Sequence, residues 1–381
     1  MTRRLIGQIH LWVGLALCVP LVLIGLTGSI LVFEDELRAV FALRAQAQPG
    51  EAHAVGEIIA AARTVAPQGF VPSSYIAPPE PGRLASVRLS PPGRQAGIGE
   101  GARVDVDPVS LATYPNASDD FLRQVFFLHS TLLMKSREGR QLVGWFGIAM
   151  LVMGVSGLVN WWPRRGAWRA AFQVSREAQG FRLWRELHGM VGIWGLLVFL
   201  TVSLAGVYLA FPETVRGAVA MVLPARDLRA AAAAIKVQPV KGAEPLSVDD
   251  AIALATVDVP EGRLASVFLP TRPDQPYRIG LHRPGDDRRE TPVIVLVDPW
   301  VRWMVQTFDP QQFNAGESLL AAQHALHSGH GFAPLWKILV FLCGLLPALF
   351  AATGIVMWLK RRRLVAEMIT DIDHTARRAG E

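Results

Sequence analysis

Four long stretches without acidic or basic residues dominate the hydrophobic pattern of the chain. They are Leu5–Phe33, Leu142–Trp162, Leu187–Phe211 and Ile338–Leu359. A helix needs about 20 apolar residues to cross the hydrocarbon layer of a bilayer, so each stretch predicts a transmembrane helix. The first is too long for the apolar part of a signal peptide, and no small-residue cleavage site follows it. We therefore predict four spans, of which the first is uncleaved.

The positive charges indicate how these spans are oriented. Arg3 and Arg4 precede the first span, Lys360–Arg363 follow the fourth, and the short link between spans two and three holds six arginines. Short cytoplasmic segments are enriched in Arg and Lys. We expect these three segments, and both termini, to be cytoplasmic. The net charge of +6 in a chain that is 51% hydrophobic is then a topology signal and does not indicate nucleic-acid binding.

The two long polar segments, residues 34–141 and 212–337, are expected on the outer side and have an α+β pattern. Each opens with a short amphipathic helix, Gly56–Val65 or Val248–Thr256. Alternating apolar and polar residues then predict strands: Ser74–Ile76, Ala85–Leu89, Arg103–Val106, Ala265–Leu269, Tyr277–Leu281 and Val293–Val297. A structural or docking module is an equally good interpretation of these segments. The chain's two cysteines, Cys18 and Cys343, lie in spans, so no disulfide is expected there.

Six short matches in the same order indicate that the chain is two copies of one unit. Spans one and three align with an offset of 178 residues, and spans two and four align with an offset of 197 or 198. Between them, GRLASV occurs at Gly82–Val87 and Gly262–Val267, and Val104–Pro108 matches Val295–Pro299. Each copy has two spans, so the copies are parallel repeats whose equivalent residues lie at equal depth. The predicted fold is an α-helical membrane protein with α+β outer domains and four transmembrane helices in two parallel repeats.

The repeat pairs four of the nine histidines. His10 corresponds to His188 near the cytoplasmic ends of spans one and three, and His129 corresponds to His327 before spans two and four. Ionisable residues within spans are rare and suggest function. Paired imidazoles on facing helices suit bis-histidine ligation of a haem iron, and two such pairs would form an electron path. Hydrogen bonding to a neighbouring helix, or snorkelling to the headgroups, is the alternative role.

Glycines accompany the first pair. Gly14 and Gly28 follow His10 at the same spacing as Gly192 and Gly206 follow His188. Small residues allow close helix packing, or would let a flat cofactor lie against the backbone.

Other histidines and several missing motifs bear on which metals and cofactors the chain could bind. His324 and His330 flank His327 at three-residue spacing and could form a separate metal site. No C-x-x-C-H motif for c-type haem occurs, and neither a dinucleotide-binding glycine motif nor a P-loop is present. Electrons would have to come from another protein, a free reduced flavin or a membrane quinol. His53, His282 and His374 are interpreted as ordinary surface residues.

Several blocks resemble a known family. "RRLIGQIHLWVGLALCVPLVLIGLTGSILVFEDEL", "LHS…GLVNWWPRR" and "WRELHGMVGIWGLL" are similar to the PepSY-associated transmembrane proteins, and most of all to the FoxB-type ferric-siderophore reductases. The implied division is residues 1–36, transmembrane helix 1; 37–120, periplasmic PepSY-like domain 1; 121–165, interfacial helix and transmembrane helix 2; 166–185, cytoplasmic loop; 186–213, transmembrane helix 3; 214–315, periplasmic PepSY-like domain 2; 316–360, His-rich interfacial segment and transmembrane helix 4; 361–381, cytoplasmic tail.

The resemblance implies a bacterial inner-membrane protein with two haem b groups that reduces a ferric siderophore in the periplasm. The electron donor would be an unidentified cytoplasmic or quinol reductant, and the other partner is membrane lipid. The expected haem ligands are His10, His188, His129 and His327. Arg83, Arg263, Tyr75 and Tyr277 are expected near the siderophore. A non-enzymatic anchor for a partner protein and a siderophore permease are the alternatives.

Overall fold

The fold is described from a computed structural model, which describes residues 2–40, 46–78, 80–93, 101–115, 121–286, 291–330 and 333–379. Its helices are α1 (Thr2–Val32), α2 (Glu34–Val40), α3 (Val55–Thr64), α4 (Phe121–Thr131), α5 (Arg137–Trp161), α6 (Trp168–Ala171), α7 (Gly180–Ala210), α8 (Pro212–Ala220), α9 (Leu228–Ala234), α10 (Val248–Asp258), α11 (Ala315–Ala321), α12 (Gln323–Ser328) and α13 (Pro334–Ala379). Its strands are β1 (Val71–Ile76), β2 (Ala85–Ser90), β3 (Ala102–Val106), β4 (Thr113–Pro115), β5 (Arg263–Phe268), β6 (Tyr277–His282), β7 (Val293–Asp298) and β8 (Trp303–Phe308).

Four of the described helices are long and apolar enough to cross a membrane. These stretches are Arg3–Val32, Arg137–Trp161, Gly180–Ala210 and Pro334–Leu364, which confirms the four predicted spans. α1 and α7 each pack against both α5 and α13. The helices therefore form a four-helix bundle with α1 and α7 on one diagonal. We call the end of the bundle next to the strands the sheet end, and the opposite end the far end.

Small residues let neighbouring helices in the bundle approach closely. A Cβ on Gly25 of α1 would lie 2.5 Å from the carbonyl oxygen of Gly344 in α13, which is too close for any side chain. The hydroxyl of Ser29 donates a 2.8 Å hydrogen bond to the carbonyl of Phe341 across the same contact. On the other side of the bundle, a Cβ on Gly144 of α5 would lie 2.4 Å from the ring of Phe211. Close packing of small residues is the usual means of helix association in lipid.

The described strands form one eight-stranded antiparallel sheet with the order β4-β3-β2-β1-β5-β6-β7-β8. Its two four-stranded halves join where β1 pairs with β5, and Tyr75 lies opposite Val267 at this junction. One face of the sheet packs against α3 and α10, and its core includes Ile58, Val87 and Val295. Each fully buried aliphatic side chain of this kind stabilises the fold by about 1.5–3 kcal/mol. The opposite face carries the alternate residues of each strand, since side chains alternate along a strand.

The predicted helices and strands of the outer segments are confirmed, and the structure adds the strands β4 and β8 and short helices such as α2, α8 and α9. The prediction that the two GRLASV segments are equivalent parts of a repeat is wrong. Gly82–Val87 leads into β2, whereas Gly262–Val267 forms most of β5, and the strand of the first half next to β5 is β1. The two segments are alike because both follow the small-and-apolar alternation of a half-buried strand. The duplication of the chain stays a prediction.

A buried carboxylate links α8 and α9 to the segment before the fourth span. Glu317 is 2% exposed, and it accepts hydrogen bonds of 2.6 and 3.0 Å from the guanidinium of Arg226. It also closes a capping box with Asn314 at the start of α11. The Arg226 guanidinium is the main reason why the pKa of Glu317 falls from 4.5 to about 2.

Glu317 should therefore stabilise the protein in a defined pH range. Because the pKa is lower in the folded state, the contribution is complete above pH 4.5 and is lost as the pH falls towards 2. Arg226 is largely exposed and solvent weakens the pair, so we expect about 1–2 kcal/mol. Thermal unfolding in detergent should show that Glu317→Gln destabilises the protein at pH 7 and has little further effect near pH 2. Glu244→Gln, at an exposed position, is the control. Equal destabilisation at both pH values would contradict this role.

Candidate cofactor site between paired histidines

The first histidine pair lies at the far end of the bundle. His10 on α1 and His188 on α7 face each other across the diagonal, with ring centroids 6.2 Å apart and planes inclined by 78°. Nδ1 of His10 lies 2.9 Å from Oγ of Ser156 on α5, and Nδ1 of His188 lies 2.7 Å from Oγ1 of Thr353 on α13. The two rings are therefore held in matching ways by the two helices of the other diagonal.

The second histidine pair lies at the sheet end. His129 on α4 and His327 on α12 have ring centroids 5.9 Å apart, with planes inclined by 44°. Nδ1 of His129 donates to the carbonyl of Ile24 at 2.9 Å, and Nδ1 of His327 donates to the carbonyl of Val202 at 2.9 Å. Each short helix is thus fastened by its histidine to one of the long helices that carry the far-end pair.

These hydrogen bonds define the tautomers of the four imidazoles. A carbonyl oxygen only accepts, so His129 and His327 carry their proton on Nδ1. The hydroxyl of Ser156 donates to the carbonyl of Met153, and that of Thr353 donates to the carbonyl of Leu349. Because these protons are used, both hydroxyls accept from Nδ1–H of a histidine. In all four rings Nε2 keeps its lone pair, the arrangement found in histidines that bind a metal.

Glycines provide the space for the sheet-end rings. A Cβ on Gly28 of α1 would lie 2.9 Å from Cε1 of His129, and a Cβ on Gly206 of α7 would lie 2.9 Å from Cε1 of His327. The predicted glycine pattern thus serves the sheet-end pair through Gly28 and Gly206. Gly14 and Gly192 instead line a cavity at the far end.

Adding a methyl group at Gly28 or Gly206 should displace the neighbouring ring. Overpacking of this kind costs about 1–3 kcal/mol, so Gly28→Ala and Gly206→Ala should each lower the unfolding temperature measured in detergent. Gly217→Ala in α8 is the matched control, because nothing lies within 4 Å of a Cβ there. If all three variants unfolded at the same temperature, the contact between glycine and imidazole would carry no energy.

The ring separations at both pairs, and the cavity at the far-end pair, fit a haem group. Metal–nitrogen bonds of about 2 Å to two opposed imidazoles place the ring centroids roughly 6 Å apart, close to both observed separations. The far-end cavity has a volume of about 450 Å³ and is lined by His10, His188 and several glycines, within the range of roughly 300–1,000 Å³ for cofactor sites. At the sheet end, the buried Oγ atoms of Ser130 and Ser328 have no hydrogen-bond partner among the described residues. A polar group of a bound cofactor could satisfy them.

Other predicted residues lie elsewhere. Within the described ranges, no group of three or more His, Cys, Asp or Glu side chains could hold a metal ion, so the run of His324, His327 and His330 does not form one. His53 pairs with Glu57. The interpretation of His282 as a surface residue is wrong, because this side chain is 5% exposed on β6.

The predicted siderophore residues are not brought together as a cleft. Tyr75 and Tyr277 are 4% and 9% exposed and belong to the core between the sheet and its helices. They occupy strand positions that face α3 and α10, and the hydroxyl of Tyr277 donates to the carbonyl of Leu246. Arg263 bonds the carbonyl of Asp286 in a turn. The prediction failed because the face on which a residue lies depends on the strand register, which was not known.

Sequence reasoning did not assign a role to Ser156, Thr353, Ser130 or Ser328. A signal was present for each, since Ser156 and Thr353 occupy matching places before "GLVNWW" and "GIVMWL", and the two serines follow the histidines in matching "LHS" segments. Residues that orient a metal-binding histidine are expected to recur with it in both copies.

Comparison with known proteins identifies the family. No curated protein gives a significant match to the chain. The profile of one family, described as the PepSY-associated TM region, matches residues 8–361, which include nearly all of the four spans, the sheet and both histidine pairs. The chain belongs to the PepSY-associated transmembrane family.

Proposed function

We propose that each histidine pair holds the iron of one b-type haem, and that the chain carries electrons through the membrane to reduce a ferric siderophore outside it. The observation that carries this proposal is the matched geometry of the two pairs. Both have centroid separations near 6 Å, and in each ring Nδ1 is bonded while Nε2 is free. Haem, when bound, supplies a carrier that accepts and gives up one electron at a time.

The two pairs are placed to serve the two sides of the membrane. Gly28, which contacts His129, lies 18 residues after His10 on the continuous helix α1, so the pairs are roughly 27 Å apart along the helix axis. At the far end, most of the side chains that line the cavity around the pair are apolar. The hydrogen bonds that the four Nδ1–H groups donate to the hydroxyls of Ser156 and Thr353 and to two backbone carbonyls fix the ring orientations in advance.

The proposed electron transfer requires the protein only to hold the reacting groups in position. A quinol that is oxidised to quinone gives up two electrons and two protons, and the electrons reduce two Fe³⁺ ions to Fe²⁺. The siderophore binds Fe³⁺ through hard oxygen ligands, so the lower charge of Fe²⁺ weakens the complex and lets the iron leave. Neither a nucleophile nor a general base is needed. We propose that the arginine-rich links face the bacterial cytoplasm, which places the sheet in the periplasm.

Vesicle reconstitution tests this function. Haem-loaded protein would be placed in liposomes that enclose a reduced quinol, with anionic and neutral ferric siderophores in separate assays and an Fe²⁺-trapping dye outside. We expect Fe²⁺ to appear outside faster than with protein-free liposomes. A rate equal to that of protein-free liposomes, from protein whose haem is loaded and reducible, would contradict the proposal. A protein that purifies without haem would instead favour a non-enzymatic anchor.

A further inference from the structure

A large cleft opens at the sheet end, beside the second histidine pair. Its volume is about 1510 Å³, and its walls include the strands β2 and β3, the helix α4, the start of α5 and the helices α8 and α9. Phe126 of α4 lines the cleft and lies three residues, about one helical turn, before His129. A molecule bound in this cleft would therefore lie next to the histidines from which electrons are proposed to leave.

The cleft wall is strongly basic. Eight of its lining residues are Arg or Lys, and four are Asp or Glu. Three of the four acids already form ion pairs: Glu34 with Arg38, and both Glu213 and Asp227 with Arg216. The acidic side chains therefore leave much of the positive charge unneutralised.

Two of the arginines lie directly opposite each other on neighbouring strands. Arg88 of β2 pairs with Arg103 of β3 in the sheet register, an arrangement that is unfavourable for like charges. Arg103 is bonded to Asp105, but no carboxylate among the described residues forms an ion pair with Arg88. Burial, together with the charges of Arg103 and Arg123, lowers the pKa of Arg88. An anion in the cleft would relieve this repulsion.

The fold itself does not require these arginines. Arg88 lies opposite Ser74 in the first half of the sheet, and Gly280 lies opposite Ser266 at the matching place in the second half. The partners of Arg88 and Gly280 on the next strand are Arg103 and Ile294. The same architecture thus holds glycine and isoleucine where the cleft has arginines, so the positive charge belongs to this cleft and not to the folding of the sheet.

We propose that this cleft binds the ferric chelate that is to be reduced, and that its charge selects multiply anionic chelates with carboxylate or catecholate ligands over neutral hydroxamate chelates. This inference rests on the proposed function, because it supplies that function's substrate site. Arg88 and Lys135 provide charge that is not already used in the fold. Lys135 lies over the ring of Phe127 at 5.1 Å and lines the same cleft.

Gallium chelates test the inference without any electron transfer, because Ga³⁺ resembles Fe³⁺ in charge but is not reduced. Binding of gallium citrate, which is anionic, and of gallium desferrioxamine E, which is neutral, would be measured by calorimetry on protein in lipid-free detergent. We expect gallium citrate to bind more tightly, with an affinity that falls as salt is raised. Equal affinity for both chelates would overturn the inference. Because the measurement is independent of haem, its failure would leave the proposed function standing.

Variants test whether gallium citrate binds in this cleft. Each charge-assisted contact is worth about tenfold in affinity, so Arg88→Gln with Lys135→Gln should weaken gallium citrate binding about hundredfold, whereas Arg88→Lys should retain it. Arg63→Gln with Arg302→Gln removes the same charge from exposed positions outside the cleft and should have little effect. Equal weakening by both double variants would overturn the assignment. It would also be overturned if gallium citrate did not bind while phosphatidylglycerol in nanodiscs bound in an Arg88-dependent way.

Discussion

Replacement of His188 by alanine is expected to lower the haem content of the purified protein from two groups per chain to one. His188 and His10 face each other at 6.2 Å, and without His188 only one of the two residues that would hold this haem remains. Replacement of His327 should have the same effect at the sheet end, where His129 is the partner. Haem per chain would be measured after extraction, together with the spectrum of the group that remains.

The matched control is His53→Ala. His53 lies outside the bundle and pairs with Glu57, so this variant should keep both haem groups. The double variant His188→Ala with His327→Ala should be colourless. If the double variant kept the haem content of the unaltered protein, the assignment of both pairs as ligands would be wrong, whatever the colour of that protein.

Electron transfer across the membrane should be lost completely in His188→Ala, even though this variant is expected to keep its sheet-end haem. The two pairs are roughly 27 Å apart along α1, so removing one level leaves a gap in the path. In vesicles that enclose quinol, the rate of external Fe²⁺ formation should fall to that of protein-free vesicles. Dithionite added outside should still reduce the remaining haem.

A smaller change, Ser156→Ala, tests the same electron path through the far-end pair. This change removes the hydroxyl that holds Nδ1 of His10 but leaves both imidazoles in place. Loss of a hydrogen bond behind a metal ligand typically lowers metal affinity or activity 10–100-fold, so the vesicle rate should fall by about that factor.

A His188→Ala protein that supported the full rate would show that electrons do not pass through the far-end pair.

The histidine pairs could be predicted from the sequence because they depend on only two features. The spans are unmistakable in the hydropathy pattern, and the gapless match of span one with span three places His10 and His188 at equal depth. Helical geometry then fixes which residues lie near each other. Their hydrogen-bond partners were harder to identify, because Ser156 and Thr353 lie on other helices, and the packing of four helices cannot be derived from the pattern of one.

The substrate side was predicted poorly for a different reason. Tyr75 and Tyr277 were assigned to a cleft, but a shift of one residue in a strand moves a side chain to the other face, and both tyrosines face the core. The identical GRLASV segments suggested that they are equivalent in the two copies, whereas one leads into β2 and the other forms most of β5, and these strands do not hold equivalent places in the sheet. The basic cleft draws residues from β2, β3 and six helices, and Arg88 meets Arg103 only through the strand pairing.

The visible spectrum of the purified protein, recorded with and without dithionite, tests the central claim most directly. We expect a Soret band, sharp α and β bands on reduction, and two haem groups per chain, as for low-spin iron held by paired imidazoles. A protein purified from haem-replete cells that stayed colourless, and took up no added haem in its folded form, would contradict the claim that the two histidine pairs are haem ligands.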